Sequence, residues 1–196
     1  MGKSSLIARF CDDVFDENMK ATIGVAFKRK RIQLDELQAQ NQALELSIWD
    51  FGGEVKYRVL FPSYVNGAAA ALILYDTTDR KTLEDIDNWV KIIDDNAKGV
   101  LKLLIGTKID LKDQREIERQ EAREIAKKLG CLEGIVETSS KTGENVEEAF
   151  LHVARMLLDK NLQHCEGCGK MFSRKLKHCN HCGESIVGFS SPEQSS

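Results

Sequence analysis

Long apolar runs are missing from this chain of 196 residues. The longest, around Ala68–Leu74, has the length of a strand, whereas a membrane-spanning helix needs roughly 18 apolar residues or more. No basic and apolar leader opens the chain, so we expect no secretory signal. The last five residues, PEQSS, contain no cysteine to be prenylated, so we expect no lipid anchor. The sequence predicts a cytoplasmic protein whose association with a membrane, if any, is made through a partner.

A large charge excess of either sign is missing too. Lys and Arg number 28 and Asp and Glu 31, which gives a net charge of −3. A main partner such as nucleic acid or an anionic membrane calls for a strongly basic surface, which this composition does not provide. The hydrophobic fraction of 42% and the length predict one ordinary domain with a small appendage.

Strand-like and helix-like patterns alternate over most of the chain. Strands are predicted at Val25–Leu34, Leu44–Asp50, Ala68–Tyr75, Leu101–Gly106 and Leu132–Thr138, and helices at Ser4–Phe10, Thr82–Asp95, Arg119–Leu129 and Val146–Leu158. This alternation predicts an α/β fold with a mostly parallel sheet and helices on both faces. The polar stretch between the first two strands indicates a hairpin instead.

The first predicted helix begins with Gly2-Lys3-Ser4-Ser5. This is the end of a phosphate-binding pattern, G-x-x-x-x-G-K-[ST], in which backbone N–H groups at a helix start hold phosphates. Lys3 would contact the β- and γ-phosphates, and the hydroxyl of Ser4 would bind Mg²⁺. An ordinary helix start with a lysine nearby explains the stretch equally well.

A second strand ends in a carboxylate followed by glycines, in the stretch LSIWDFGGE. Asp50 stands where the Mg²⁺ of a bound nucleotide needs a partner. Gly53 would let a backbone N–H approach a γ-phosphate, because no Cβ is in the way. The alternative is a simple turn after a strand.

Two more polar stretches follow predicted strands. Thr107-Lys108-Ile109-Asp110 follows one of them, and the Asp110 carboxylate can accept two hydrogen bonds from guanine, which adenine cannot donate. The stem of Lys108 can lie against a purine face. After another strand, Ser139, Ser140 and Lys141 are placed to support the base pocket.

These motifs, in this order, resemble the Ras-like small GTPases, nearest to the Rab branch, over residues 1 to about 158. Supporting stretches are ATIGVAFKRK, IWDFGGEVKYR, LILYDTTDRKTLEDIDNW, IGTKIDL and ETSSKTGENVEEAF. The resemblance implies a P-loop fold that binds GTP or GDP with Mg²⁺ and acts as a switch. Effector, exchange and activating proteins are implied as partners, without naming them.

The resemblance also assigns roles to individual residues. Thr22 matches the threonine that senses the γ-phosphate through Mg²⁺, and Phe15 matches the aromatic ring beside the guanine. Phe27, Trp49 and Tyr64 match an effector-binding patch, although core packing explains them equally well. Catalytic roles fall on Thr22, Gly53 and the residue after it.

That residue, Glu54, departs from the family pattern, which has a glutamine to orient the attacking water. A carboxylate next to the γ-phosphate is repelled by it, so we expect slow intrinsic hydrolysis. Thr107 stands where an asparagine is commoner in the base-binding motif. The alternative hypothesis is a non-catalytic interaction module that contains a degenerate GTPase domain.

The family pattern also places a strand and the first glycine of the phosphate loop before Met1. We therefore expect that the natural chain starts further upstream and that the first strand is missing here. The rival interpretation is a truncated protein that holds nucleotide poorly. The unpaired backbone groups of a lost central strand would each cost ~1–3 kcal/mol.

A zinc ribbon is predicted at residues 162–185, between a GTP-binding domain at 1–161 and a disordered tail at 186–196. Cys165-x₂-Cys168 and Cys179-x₂-Cys182 supply four thiolates, which leave no open position, so the Zn²⁺ is expected to be structural. Disulfides are the alternative; His178 and His181 are expected to be exposed neighbours. Four Lys or Arg against two Asp or Glu give this module a surplus of only +2, which the Zn(Cys)₄ charge of −2 cancels. We therefore expect protein docking and no nucleic-acid binding.

Overall fold

A computed structural model describes residues 1–34, 43–53, 61–131 and 134–185. The predicted disordered tail at 186–196 and most of the predicted hairpin connection lie outside these ranges. No helix in the described ranges has the length and apolar character to cross a membrane.

Seven strands and seven helical segments are present in the described ranges. The strands are β1 (Val25–Ile32), β2 (Leu44–Phe51), β3 (Ala70–Asp76), β4 (Leu101–Thr107), β5 (Ile135–Glu137), β6 (Leu162–His164) and β7 (Met171–Ser173). The helices are α1 (Lys3–Asp12), α2 (Phe61–Val65), α3 (Arg80–Glu84), α4 (Ile86–Asn96), α5 (Arg119–Lys128) and α6 (Val146–Asn161), with a 3-10 helix at Lys112–Gln114.

The predicted parallel sheet is formed by β3, β4 and β5, with β4 in the middle. In its register Gly106 lies between Tyr75 of β3 and Glu137 of β5. The predicted hairpin pairs β1 with β2 antiparallel, from Val25 opposite Phe51 to Ile32 opposite Leu44. Within the described residues, no ladder of hydrogen bonds joins β2 to β3.

Helices cover both faces of the parallel sheet, as the sequence predicts. Successive residues of β4 point to opposite faces, so Leu104 enters a core with Ile86 and Val90 of α4. Leu103 enters a second core with α1 and α6, where the rings of Phe10 and Phe150 stack with centroids 3.8 Å apart. Burial of such side chains stabilises the fold by ~1.5–3 kcal/mol each.

Several predicted element bounds differ from the structure. The single helix predicted at Thr82–Asp95 is two helices that meet at Asp85, whose carboxylate accepts hydrogen bonds from the side chains of Asn88 and Trp89. Aspartate makes such local bonds at helix ends. Of the strand predicted at Leu132–Thr138, the structure forms Ile135–Glu137, and Gly134 just before it has a φ of 85°, which a strand residue does not adopt; Leu132 lies outside the described residues.

The C-terminal part follows α6 without a spacer, since β6 begins at the residue after the helix ends. β6 pairs antiparallel with β7, with His164 opposite Met171. Arg174, just beyond β7, donates from its backbone N to the Asn161 carbonyl at 2.9 Å and from Nε to the Asp159 carbonyl at 3.0 Å. These bonds satisfy carbonyl groups that the end of α6 leaves free.

Candidate functional site

Three oxygen-bearing side chains meet beside the first turn of α1. The Oγ atom of Ser4 lies 2.5 Å from Oδ2 of Asp50 and 2.5 Å from Oγ1 of Thr22. The Thr22 hydroxyl also donates to Oδ2 of Asp50 at 3.0 Å. The three residues come from α1, from the segment before β1 and from the end of β2, so the fold brings together what the sequence separates.

These oxygens fit a magnesium ion. Asp50 is only 7% exposed, and its buried Oδ1 atom has no hydrogen-bond partner among the described residues. A buried carboxylate oxygen without a partner is costly. Two hydroxyls and a carboxylate are the hard ligands that Mg²⁺ prefers.

Lys3 lies next to this group, with its amine against Gly53. A Cβ added to Gly53 would lie 2.9 Å from Nζ of Lys3, so the missing side chain makes room for the amine. Burial lowers the pKa of Lys3, and the nearby Asp50 carboxylate only partly opposes this effect. A further negative charge at this point would therefore stabilise the ammonium form.

The start of α1 has the backbone shape of a phosphate-binding loop end. Gly2 precedes the helix with φ 76°, in the left-handed region that favours glycine, and its carbonyl accepts from the Leu6 N–H at 3.0 Å. Ser5 points elsewhere, since its hydroxyl donates to Sδ of Met19 at 3.7 Å.

The predicted base-binding residues lie on the loops after β4 and β5. The Ser139 hydroxyl donates to Oδ1 of Asp110 at 2.6 Å and accepts from the Thr142 N–H at 3.1 Å. These two hydrogen bonds of the Ser139 hydroxyl orient the Asp110 carboxylate. The Thr107 hydroxyl, by contrast, donates to the Tyr75 carbonyl at 2.9 Å and the Met1 carbonyl at 3.1 Å, so it joins neighbouring chain segments.

Lys108 is held by a residue that sequence reasoning missed. Its Nζ lies 2.6 Å from Oδ2 of Asp76, which is 2% exposed, and its backbone has the left-handed φ of 65°. Burial works to raise the pKa of Asp76, but hydrogen bonds from Lys108 and Thr78 outweigh it and lower that pKa. The signal was available, because Asp76 ends an apolar strand just as Asp50 does.

The remaining predicted site residues are spread around the same edge. Phe15 is half-buried in the segment after α1. The Ser140 carbonyl accepts from Arg9, and Lys141 pairs with Glu17. Glu54 lies outside the described residues.

An exposed aromatic patch is formed by two residues of the β1–β2 hairpin and one of α2. Phe27, Trp49 and Tyr64 are 43%, 46% and 41% exposed. Their rings form a row, with centroids 4.7 Å apart between the first two and 5.2 Å between the last two. Because all three side chains are exposed, the alternative interpretation of these residues as core packing is not supported.

The four paired cysteines form a cluster. The Sγ atoms of Cys165, Cys168, Cys179 and Cys182 all lie within 4.8 Å of one another, and the Cys165–Cys182 and Cys168–Cys179 pairs are 3.5 and 3.7 Å apart. A tetrahedral Zn²⁺ with Zn–S distances of ~2.3 Å requires sulfur atoms roughly 3.8 Å apart. The cluster is therefore compatible with a bound Zn²⁺.

Two glycines shape this cluster. Gly169 and Gly183 have φ 69° and 83°, and each N–H donates at 2.8 Å to the carbonyl of the first cysteine in its pair. Burial works to raise the pKa of Cys179, but N–H donors of His181 and Cys182 lower it to about 6.

The nearby histidines have other partners. His178 Nδ1 lies 3.0 Å from the Ser185 hydroxyl, and His181 Nε2 lies 3.2 Å from the Met171 carbonyl. The two isolated cysteines are free thiols, Cys131 buried and Cys11 half-buried.

Known proteins match most of the chain. The Ras family model matches residues 1–159. Ras-related protein Rab-18-B of Danio rerio is 40% identical over 160 residues, which cover 81% of this chain and 74% of that protein. Rab-13 of Canis lupus familiaris is 35% identical over 162 residues (82% and 76%), and GTP-binding protein ypt2 of Schizosaccharomyces pombe (strain 972) is 37% identical over 156 residues (79% and 74%).

Proposed function

The chain belongs to the Ras family as a small GTPase of the Rab/Ras type, and on that premise we propose that it binds Mg²⁺ with GTP or GDP beside α1 and hydrolyses GTP slowly. The observation that carries the proposal is the meeting of Ser4, Thr22 and Asp50 with an unpaired carboxylate oxygen. When bound, Mg²⁺ neutralises charge on the phosphates.

The chain's own residues would do the rest of the binding. The start of α1 offers backbone N–H groups to phosphate. The half-buried Lys3 amine would supply a positive charge to pair with the same phosphate. Gly53 leaves open the space next to that amine. Thr22 would then be held only while the γ-phosphate is present, which makes its segment the part that responds to hydrolysis.

Guanine would be read by Asp110, whose carboxylate is oriented by the Ser139 hydroxyl 2.6 Å away. Its second oxygen and remaining lone pairs can accept from the two donors of guanine. Adenine has an acceptor where guanine has a donor, so its binding would leave this carboxylate unpaired.

Replacement of one Mg²⁺ ligand tests the metal part of this proposal. The Asp50→Asn variant keeps the size of the side chain and removes its charge, so we expect fluorescent GDP to dissociate at least ~10-fold faster with Mg²⁺ present. With the ion chelated, the two proteins should release GDP at similar rates. A wild-type release rate that does not change on chelation would contradict the proposed metal site.

Slow hydrolysis is a separate part of the proposal, and it rests on the identity of Glu54. In single-turnover experiments the Glu54→Gln variant should hydrolyse bound GTP faster than the wild type, because the repelled carboxylate is replaced by a neutral amide that can orient water. An unchanged or lower rate would show that Glu54 is not the cause of slow turnover.

The C-terminal cluster is proposed to hold structural Zn²⁺ in a module that docks proteins, joined to the GTP-binding domain at residue 162. Its support is the spacing of the four sulfur atoms. The aromatic patch of Phe27, Trp49 and Tyr64 is proposed as a second docking surface, since so much exposed aromatic area is unusual without a partner. If GTP turnover is absent, these two surfaces support a non-catalytic interaction module instead.

A further inference from the structure

Arg9 of α1 joins the two loops that flank the proposed base pocket. Its Nε donates to the Ser140 carbonyl at 2.8 Å and its Nη2 to the Lys141 carbonyl at 3.1 Å. Its Nη1 reaches the other way, to the carbonyl and Oδ1 of Asp13 at 3.1 and 2.8 Å. The Arg9 side chain is only 19% exposed, so the guanidinium is largely enclosed by these partners.

A second link joins the same two loops at the surface. Nζ of Lys141 donates to Oε1 of Glu17 at 2.7 Å, and the two residues are 124 positions apart. This hydrogen bond and the charge of Glu17 raise the pKa of Lys141. Asp13 and Glu17 stand on either side of Phe15, so both links hold the segment that carries that ring.

The linked residues lie on the base side of the proposed site. Ser140 and Lys141 follow Ser139, which orients Asp110, while Lys3 and Ser4 lie more than one helical turn from Arg9, toward the start of α1. A base held between Phe15 and the loop of Ser140 and Lys141 would leave as the Phe15 segment and that loop separate. Both links oppose that separation, and neither contacts the residues proposed to bind phosphate.

We propose that Arg9 and the Glu17–Lys141 pair form a clasp that holds the two base-side loops together and sets the rate at which nucleotide leaves. The inference rests on the proposed nucleotide site. Arg9 and Glu17 are positioning residues, because they act through the loops and through Lys141. Since the clasp lies away from the phosphates, its loss should speed release of GDP and GTP by the same factor.

The test measures release of methylanthraniloyl-labelled GDP and GTP from the full-length chain with Mg²⁺ present. In the Glu17→Gln variant we expect both nucleotides to leave about two- to fivefold faster at low salt, as befits an exposed ion pair. This difference should shrink in 1 M salt, which screens exposed charges. Glu144→Gln is the matched control, because it removes the same charge from an exposed side chain on the loop that carries Lys141. It should leave both release rates unchanged.

Two further variants make the test specific. Arg9→Gln should accelerate release of both nucleotides by roughly 10-fold or more, because several charge-assisted bonds are lost. The change Glu17→Lys should accelerate release more than Glu17→Gln does, because it places two positive charges together, and this extra acceleration should also shrink in 1 M salt.

The outcomes separate the clasp from the nucleotide site itself. Tight wild-type binding with an unchanged rate in Glu17→Gln, or a Glu17→Lys variant that releases nucleotide no faster than Glu17→Gln, overturns the clasp. Unequal acceleration of GDP and GTP also overturns it, since the effect would then lie at the phosphates. A wild-type protein that binds neither nucleotide overturns the proposed function and the clasp with it.

Discussion

Gly106→Ala is predicted to be damaging out of proportion to the single methyl group it adds. Gly106 lies in the middle strand between Tyr75 and Glu137. A Cβ at this position would lie 2.7 Å from Oη and 2.8 Å from Cζ of Tyr75, and 3.1 Å from Cγ of Glu137. Contacts shorter than 3.0 Å require a shift, yet Tyr75 is 0% exposed.

The neighbours of Gly106 have little freedom to make that shift. The Tyr75 hydroxyl donates to Oε1 of Glu137 at 3.2 Å, and Arg115 donates to both oxygens of Glu137, at 2.8 and 3.1 Å. Overpacking costs ~1–3 kcal/mol, and loss of the tyrosine hydrogen bond adds ~1 kcal/mol. At about 2–4 °C per kcal/mol for a chain of this size, the Tm should fall by roughly 4–16 °C.

Thermal and urea unfolding of single and double variants check this reasoning. Tyr75→Phe alone should cost ~1 kcal/mol. Combined with Gly106→Ala, it should restore part of the lost stability, because it removes the 2.7 Å contact and leaves the 2.8 Å contact with the ring. Because Gly106 lies next to Thr107, the last residue of β4, and just before Lys108, the Gly106→Ala protein should also release GDP faster. A Gly106→Ala protein whose Tm is within about 2 °C of the wild type would refute the argument, since the ring would then move freely.

Three further predictions concern other parts of the molecule. The pKa of Asp76 in the folded protein lies below its ordinary 3.8, so its stabilising effect is complete above that pH and disappears as the pH falls through the folded-state pKa. Asp76→Asn should be less stable than the wild type toward urea at pH 7, and this difference in stability should close in acid. A difference that stays constant with pH would exclude the ion pair with Lys108 as its source. Arg174→Gln should lower the free energy of unfolding by ~0.5–1.5 kcal/mol, because the hydrogen bond to the Asp159 carbonyl is lost, and its zinc content should not change. The control Lys175→Gln should keep the stability of the wild type. Equal stability of the two variants would contradict the role of Arg174 as a cap on α6. Cys179→Ser should reduce zinc, measured by elemental analysis, from one atom per chain to less than about half, while Cys11→Ser should keep it at one, and equal zinc in both would show that the cluster is not the site.

The parts of the fold that could be predicted are those determined by local pattern. The apolar runs that became β3 and β4 are covered on both faces, so composition alone identifies them as central strands. Because parallel strands end at one edge of a sheet, polar residues after each strand could be expected to meet there. Asp110 and Ser139 do so, 29 residues apart in the chain.

Other features depend on contacts that no local pattern encodes. Nothing around Arg9 indicates that its guanidinium contacts Ser140 and Lys141, more than 130 positions away. The break at Asp85 is not visible in the pattern, because the apolar periodicity continues through it. The exposure of Trp49 likewise follows from its face of the hairpin, which a one-residue change of register would reverse.

The most direct test of the central claim is binding of fluorescent GDP to the purified chain, with and without Mg²⁺, in competition with unlabelled nucleotides. We predict binding that GDP and GTP displace, that ADP and ATP at 100-fold excess do not, and that weakens at least ~10-fold when Mg²⁺ is chelated. Equal displacement by ADP would contradict guanine recognition by Asp110. Failure to bind at all would contradict the assignment of Lys3, Ser4, Thr22 and Asp50 as a nucleotide site.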